Sequence, residues 1–181
     1  KCDIRSDNGV IQEIGQLVTG EYESEDVLDV EGRMAVPGFI DLHIQGAGGA
    51  DVLDATCEAM ETISLTQARF GVTSFLATTV YRPNGDNSHL KLLNETMNDL
   101  SGSACLGVHL EGPFISMDKR GMIQPDCICR PSKEILEDIF ELCGDSLQMM
   151  TIAPEQDGAS AIIEELGKAG VIASFGHSIA T

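Results

Sequence analysis

The sequence predicts an α/β protein built on a parallel sheet, and two observations carry that reading. From Val36 onward, five short apolar runs alternate with four amphipathic stretches of helix length, the pattern of right-handed βαβ units. The ionisable residues in or just after those runs lie at their carboxyl ends. That is the edge where parallel α/β folds assemble their chemistry.

The first 35 residues read differently. "SDNGVIQEIG" sets Asn-Gly before a short apolar run, a hairpin signal. The acidic stretch "EYESEDVLDVEG" and then "RMAVPGF" follow. Residues 1–35 are too short and polar for a domain alone and are expected to form part of a small β layer beside a larger body, residues 36–181.

In that body "PGFIDLHI" is the first strand. "TCEAMETISLTQARFG" is a helix, with Thr56 positioned to cap its start and Gly71 its end. "VTSFLATTV" is β-branched and aromatic, hence a strand. "NSHLKLLNETMNDL" is an amphipathic helix in which His89 is expected to face solvent. "CLGVHLEG" is the third strand. A long polar loop leads to "SKEILEDIFELCG", a helix capped by Ser132 with Glu134 in its first turn. "LQMMTIAPE" is a strand, "ASAIIEELGKAG" a helix stopped by Gly170, and "VIASFGHS" the fifth strand. A (β/α)8 barrel needs eight strands and about 250 residues. Five strands therefore mean an open sheet or the first part of a barrel.

Bulk properties narrow the function classes. Eleven basic against 29 acidic residues give a net charge of −18, which argues against a nucleic-acid or anionic-membrane surface. No run approaches the ~20 apolar residues of a membrane span, and "KCDIRSDNGV" does not resemble a signal peptide. The six cysteines lack CxxC pairing and read as free thiols of a cytoplasmic protein. Cys127-x-Cys129 is an unusual spacing for zinc.

His43 and Gln45 close the first strand, Glu111 the third, Pro154 and Glu155 the fourth, and His177 the fifth. Strict alternation sets Asp41, His43 and Gln45 on one side of their strand, and His109 with Glu111 on one side of theirs. Imidazoles and a carboxylate converging from separate strands suit a divalent metal of the zinc, iron or manganese type. Singly, each histidine reads more often as a hydrogen-bonded loop anchor than as a ligand, and Glu111 before Gly-Pro reads as a loop cap. Only jointly do the three strand ends bring the metal reading level. "GAGGAD" leads into a loop and lacks the strand–GxGxxG–helix order of a nucleotide site.

"VPGFIDLHIQGAGGAD", "FGVTSFLATTV", "LGVHLEGPFIS" with "KRG", "MMTIAPE" and "SFGHSIAT" together resemble the N-acetylglucosamine-6-phosphate deacetylases of the amidohydrolase superfamily. "HLEGPF" and "GHSIAT" are the specific pieces. The resemblance implies a (β/α)8 TIM-type barrel, of which this chain carries about the first five strands, flanked by part of a small β-sandwich. It implies that Glu111 and His177 are metal ligands, with His43 a third only if a second metal site exists. Gln45 stands where two-metal members have a second histidine, which implies one divalent ion and a hydrogen bond from Gln45 to water or substrate. No catalytic residue falls within the chain: a further histidine ligand and the general-base aspartate are expected beyond Thr181, so these 181 residues alone are expected to be inactive.

The same resemblance makes Met122 a substrate-lining residue in "KRGMIQP", where Ile123 replaces the usual histidine. Lys119 and Arg120 read either as attracting an anionic substrate or as solvated. The implied substrate is a phosphorylated amino sugar, deacetylated to glucosamine 6-phosphate and acetate. The implied assembly is a homodimer. The rival readings are an amidohydrolase acting on a cyclic amide or nucleobase, and a non-catalytic sugar- or metal-binding protein.

Overall fold

The structure, a computed structural model, describes residues 2–17 and 27–181. It divides into two compact units, Lys1–Pro37 and Gly38–Thr181. The acidic stretch "EYESEDVLDVEG" begins outside the described residues.

In the first unit β1 (Asp3–Asp7) and β2 (Val10–Gly15) form the antiparallel hairpin foreseen from Asn-Gly. Asn8 and Gly9 have φ of 47° and 77°, the paired positive angles of the hairpin turn that matches strand twist.

The second unit is a parallel sheet of five strands. They are β3 (Phe39–Ile44), β6 (Val72–Thr79), β7 (Ala104–Glu111), β8 (Leu147–Ile152) and β9 (Ile172–Phe175). Between β3 and β6 lies a two-residue hairpin, β4 (Gly46–Ala47) and β5 (Ala50–Asp51). Its turn residues Gly48 and Gly49 have φ of 65° and 88°, so "GAGGAD" is a tight turn and not the start of a phosphate-binding helix. The helices are α1 (Cys57–Arg69), α2 (Ser88–Thr96), α3 (Lys133–Cys143) and α4 (Ala159–Lys168).

Strand order decides between the two architectures. Each long strand pairs with the next in sequence, β3-β6-β7-β8-β9, without reversal. A doubly wound sheet reverses at a switch point; continuous winding in one direction is how a (β/α)8 barrel wall is laid down. The chain forms five such strands.

One sheet face packs on the helices. Phe75, Ala77, Val108, Leu110, Met150 and Ile152 join Met60, Ile63, Leu90, Leu93, Ile139, Ile162 and Leu166 in one buried cluster. The helix caps are as expected: Thr56 Oγ1 accepts from Ala59 N–H at 3.1 Å, and Ser132 Oγ from Ile135 N–H at 3.4 Å.

Two expectations need correction. His89 is 4% exposed rather than solvent-facing. With Leu90 and Leu93 it forms the buried stripe of α2, and its Nε2 donates to the Val80 carbonyl at 3.0 Å. Asp41 does not share a face with His43 and Gln45. The ladder of β3 on β6 slips between Asp41 and Ile44, so Asp41 pairs with Phe75 and Ile44 with Ala77, both core residues. A bulge inserts one residue and resets the alternation; Asp41 turns toward α1 and accepts from Gln67 Nε2 at 2.8 Å.

Candidate metal-centre residues

The slip in β3 leaves backbone groups off the ladder, and side chains take them up. His43 N–H donates to Asp41 Oδ1 at 3.0 Å, and Ile44 N–H to Thr78 Oγ1 at 3.0 Å. The Leu42 carbonyl accepts from His109 Nδ1 at 2.8 Å. That bond fixes the proton on Nδ1, so Nε2 accepts from the Thr151 hydroxyl at 2.8 Å. Burial pushes the His109 imidazole below its ordinary value, a shift that the bond to Leu42 opposes. His109 is thus a neutral ring locked at both nitrogens, and His43 stands edge-on to it with centroids 5.2 Å apart.

Beyond this layer, three side chains meet on the Glu111 carboxylate, itself 7% exposed. Gln45 Nε2 donates to Oε2 at 2.7 Å. His177 Nε2 lies 2.8 Å and His43 Nε2 3.8 Å from Oε1. Four of the residues singled out from sequence, His43, Gln45, Glu111 and His177, therefore come together. Met122 is 93% exposed in the loop after β7, next to Gly121, where an added Cβ would lie 3.7 Å from His177 Cε1. His177 sits two residues past the end of β9, and Pro154 and Glu155 lie beyond β8.

The chemistry of the donors fits a cation. His177 Nδ1 is 2.7 Å from the Lys119 carbonyl, which can only accept, so Nδ1 carries the hydrogen. A neutral ring then points the Nε2 lone pair at a carboxylate oxygen, two acceptors in contact. A proton on Nε2 or a metal ion shared by both atoms resolves the conflict. Among the described residues no group of three or more His, Cys, Asp or Glu side chains forms a ready cation cage. What this chain offers is an imidazole–carboxylate pair, with His177 Nε2 set on Glu111 Oε1.

Sequence reasoning missed His109 as the prop of β3, although its shared face with Glu111 was visible. It also missed the bond joining Gln45 to Glu111, for which side-chain alternation carries no signal.

Residues 34–169 match the sequence profile described as the Amidohydrolase family, which covers most of the chain. The chain belongs to the amidohydrolase family. Its curated relatives include an N-acetylglucosamine-6-phosphate deacetylase of Lysinibacillus sphaericus, 33% identical across 100% of this chain and 47% of the relative. This amidohydrolase thus spans about half the length of the curated relatives it matches. Among solved structures it is similar to N-acetyl-D-glucosamine-6-phosphate deacetylase from Mycobacterium smegmatis. That match has a TM-score of 0.83 and 27% identity, and covers 98% of this chain and 46% of that one. A variant of the M. smegmatis enzyme, solved in complex with N-acetyl-D-glucosamine-6-phosphate, aligns at TM-score 0.78 and 28% identity over 94% of this chain and 44% of that one.

Proposed function

We propose that this amidohydrolase contributes the amino-terminal part of a metal-dependent N-acetylglucosamine-6-phosphate deacetylase, hydrolysing the 2-acetamido group to glucosamine 6-phosphate and acetate. The observation that carries it is the His177–Glu111 pair, with His177 Nδ1 committed to a carbonyl and Nε2 facing a carboxylate. The similarity to deacetylases along the whole chain supports the substrate class.

Glu111 Oε1 and His177 Nε2 would hold the ion. A divalent metal there supplies Lewis acidity, bringing the pKa of water from 15.7 to about 7 and polarising the acetamide carbonyl. Gln45 holds Oε2 of Glu111, which leaves Oε1 free for the ion and favours one metal over two; zinc, iron and manganese all suit the donors. His43, propped by His109, borders the centre without joining it. Glu111 cannot both bind the ion and move the proton, so the general base is assigned to an aspartate outside this chain. Met122 is assigned to the sugar side, supported by the closeness of its loop to His177.

A cytoplasmic homodimer belongs to the same reading. It rests on the family resemblance.

The test is metal content together with acetate release from N-acetylglucosamine 6-phosphate by the full-length protein. Release of acetate, abolished by a chelator and restored by metal, is expected. Metal and sugar binding without turnover would favour a binding protein instead, and turnover only of cyclic amides or nucleobases would favour another amidohydrolase.

A further inference from the structure

Glu155 lies outside the group just described, in the loop after β8, yet both of its carboxylate oxygens are committed to the residues that follow His177. Oε2 accepts from the Ser178 hydroxyl at 2.6 Å and Oε1 from Ile179 N–H at 2.9 Å. Ser178 Oγ in turn accepts from Ala180 N–H at 2.9 Å, so the segment folds around one carboxylate. These bonds hold the Glu155 carboxyl below its ordinary range, the Ser178 hydroxyl contributing most.

His177 itself has a φ of 50°. A residue bearing a Cβ avoids this region and stays there only when its surroundings impose it. Two restraints come from the loop after β7: Ser116 N–H donates to the His177 carbonyl at 2.9 Å, and Lys119 O holds Nδ1. They fix the ring and the carbonyl of His177. The chain leaving it is held by Glu155.

We propose that Glu155 is a positioning residue: by gripping Ser178 and Ile179 it keeps His177 in its left-handed backbone conformation and so aims Nε2 at Glu111 Oε1. This rests on the reading of His177 as a metal ligand. Partners of ligating histidines outside the coordination sphere typically change metal affinity about 10–100-fold when removed, and Glu155 acts at one remove, through the backbone.

The experiment measures zinc affinity of the metal-stripped, full-length protein by competition with a chromophoric chelator. The variants are Glu155→Ala, Glu155→Gln, Ser178→Ala and His177→Ala. Glu155→Ala is expected to weaken zinc binding about 10–100-fold. Glu155→Gln should stay within about threefold of wild type, because an amide accepts from Ile179 N–H through its oxygen and donates to Ser178 Oγ through its nitrogen. Ser178→Ala should fall between them. Wild-type affinity in Glu155→Ala overturns the proposal, and so does a Glu155→Gln as weak as Glu155→Ala. Should Glu155→Ala fail to fold, unchanged affinity in Ser178→Ala overturns it. Wild-type zinc affinity in His177→Ala overturns instead the ligand reading beneath it.

Discussion

Gln45, just past the end of β3, reaches over the intervening strand β6 and donates to Glu111 Oε2 at the end of β7, 66 positions away, at 2.7 Å. The amide occupies one of the two oxygens of the carboxylate that also meets His177. Bonded this way, Glu111 turns its other oxygen, Oε1, toward the two histidines.

The proposed single-metal centre is tested through that bond. The full-length protein is expected to hold about one divalent ion per chain, and Gln45→His to move the count toward two by supplying a second imidazole beside His43. Elemental analysis of both proteins checks this; about two ions in the wild type would contradict the role given to Gln45.

If Glu111 and His177 hold the ion as proposed, Glu111→Ala and His177→Ala should each strip it and lower deacetylation by at least about 1,000-fold. Metal content and acetate release, measured on the same samples, test the pair. Full metal retention in both variants would remove the proposed centre.

His109→Leu should destabilise the chain by about 2–3 kcal/mol, because the Leu42 carbonyl and the Thr151 hydroxyl both lose a buried partner. Urea unfolding provides the measurement. A change below about 0.5 kcal/mol would mean that water replaces the ring without cost.

Stability should also fall in mild acid through His89. Burial is the main cause lowering its pKa from 6.5, with Arg82 adding to it and the Val80 carbonyl, Asp86 and Asp51 opposing it. A histidine depressed in the folded state binds its proton first in the unfolded chain. Its contribution is therefore complete above about pH 6.5 and declines as pH falls toward the lower folded value, by at most about 1.4 kcal/mol per pH unit for one proton. Denaturation midpoints across pH 5 to 8 should show this slope, and His89→Leu should reduce it, leaving the part that His109, also lowered by burial, contributes.

Much of the fold was legible along the chain because it rests on local rules. Thr56 and Ser132 cap the helices they precede, and Asn8-Gly9 makes the turn that its dihedral freedom favours. His89 was misread because amphipathic phase alone does not say that a strand-end carbonyl, that of Val80, lies within reach of its ring. Asp41 was misread because alternation assumes an unbroken ladder, whereas a slip against β6 depends on a strand that follows thirty residues later.

By itself, the sequence determined a repeated strand–helix body with its ionisable residues at one edge, and the family resemblance singled out Glu111 and His177 among them. Apolar period and capping chemistry act over a few residues and can be read without coordinates. Only the tertiary structure decided that the strands wind in one direction, that β3 slips, and that Gln45 and His177 close on the same carboxylate. Those outcomes depend on which backbone groups find partners across the sheet, and that is settled only when distant strands share one hydrogen-bonding surface.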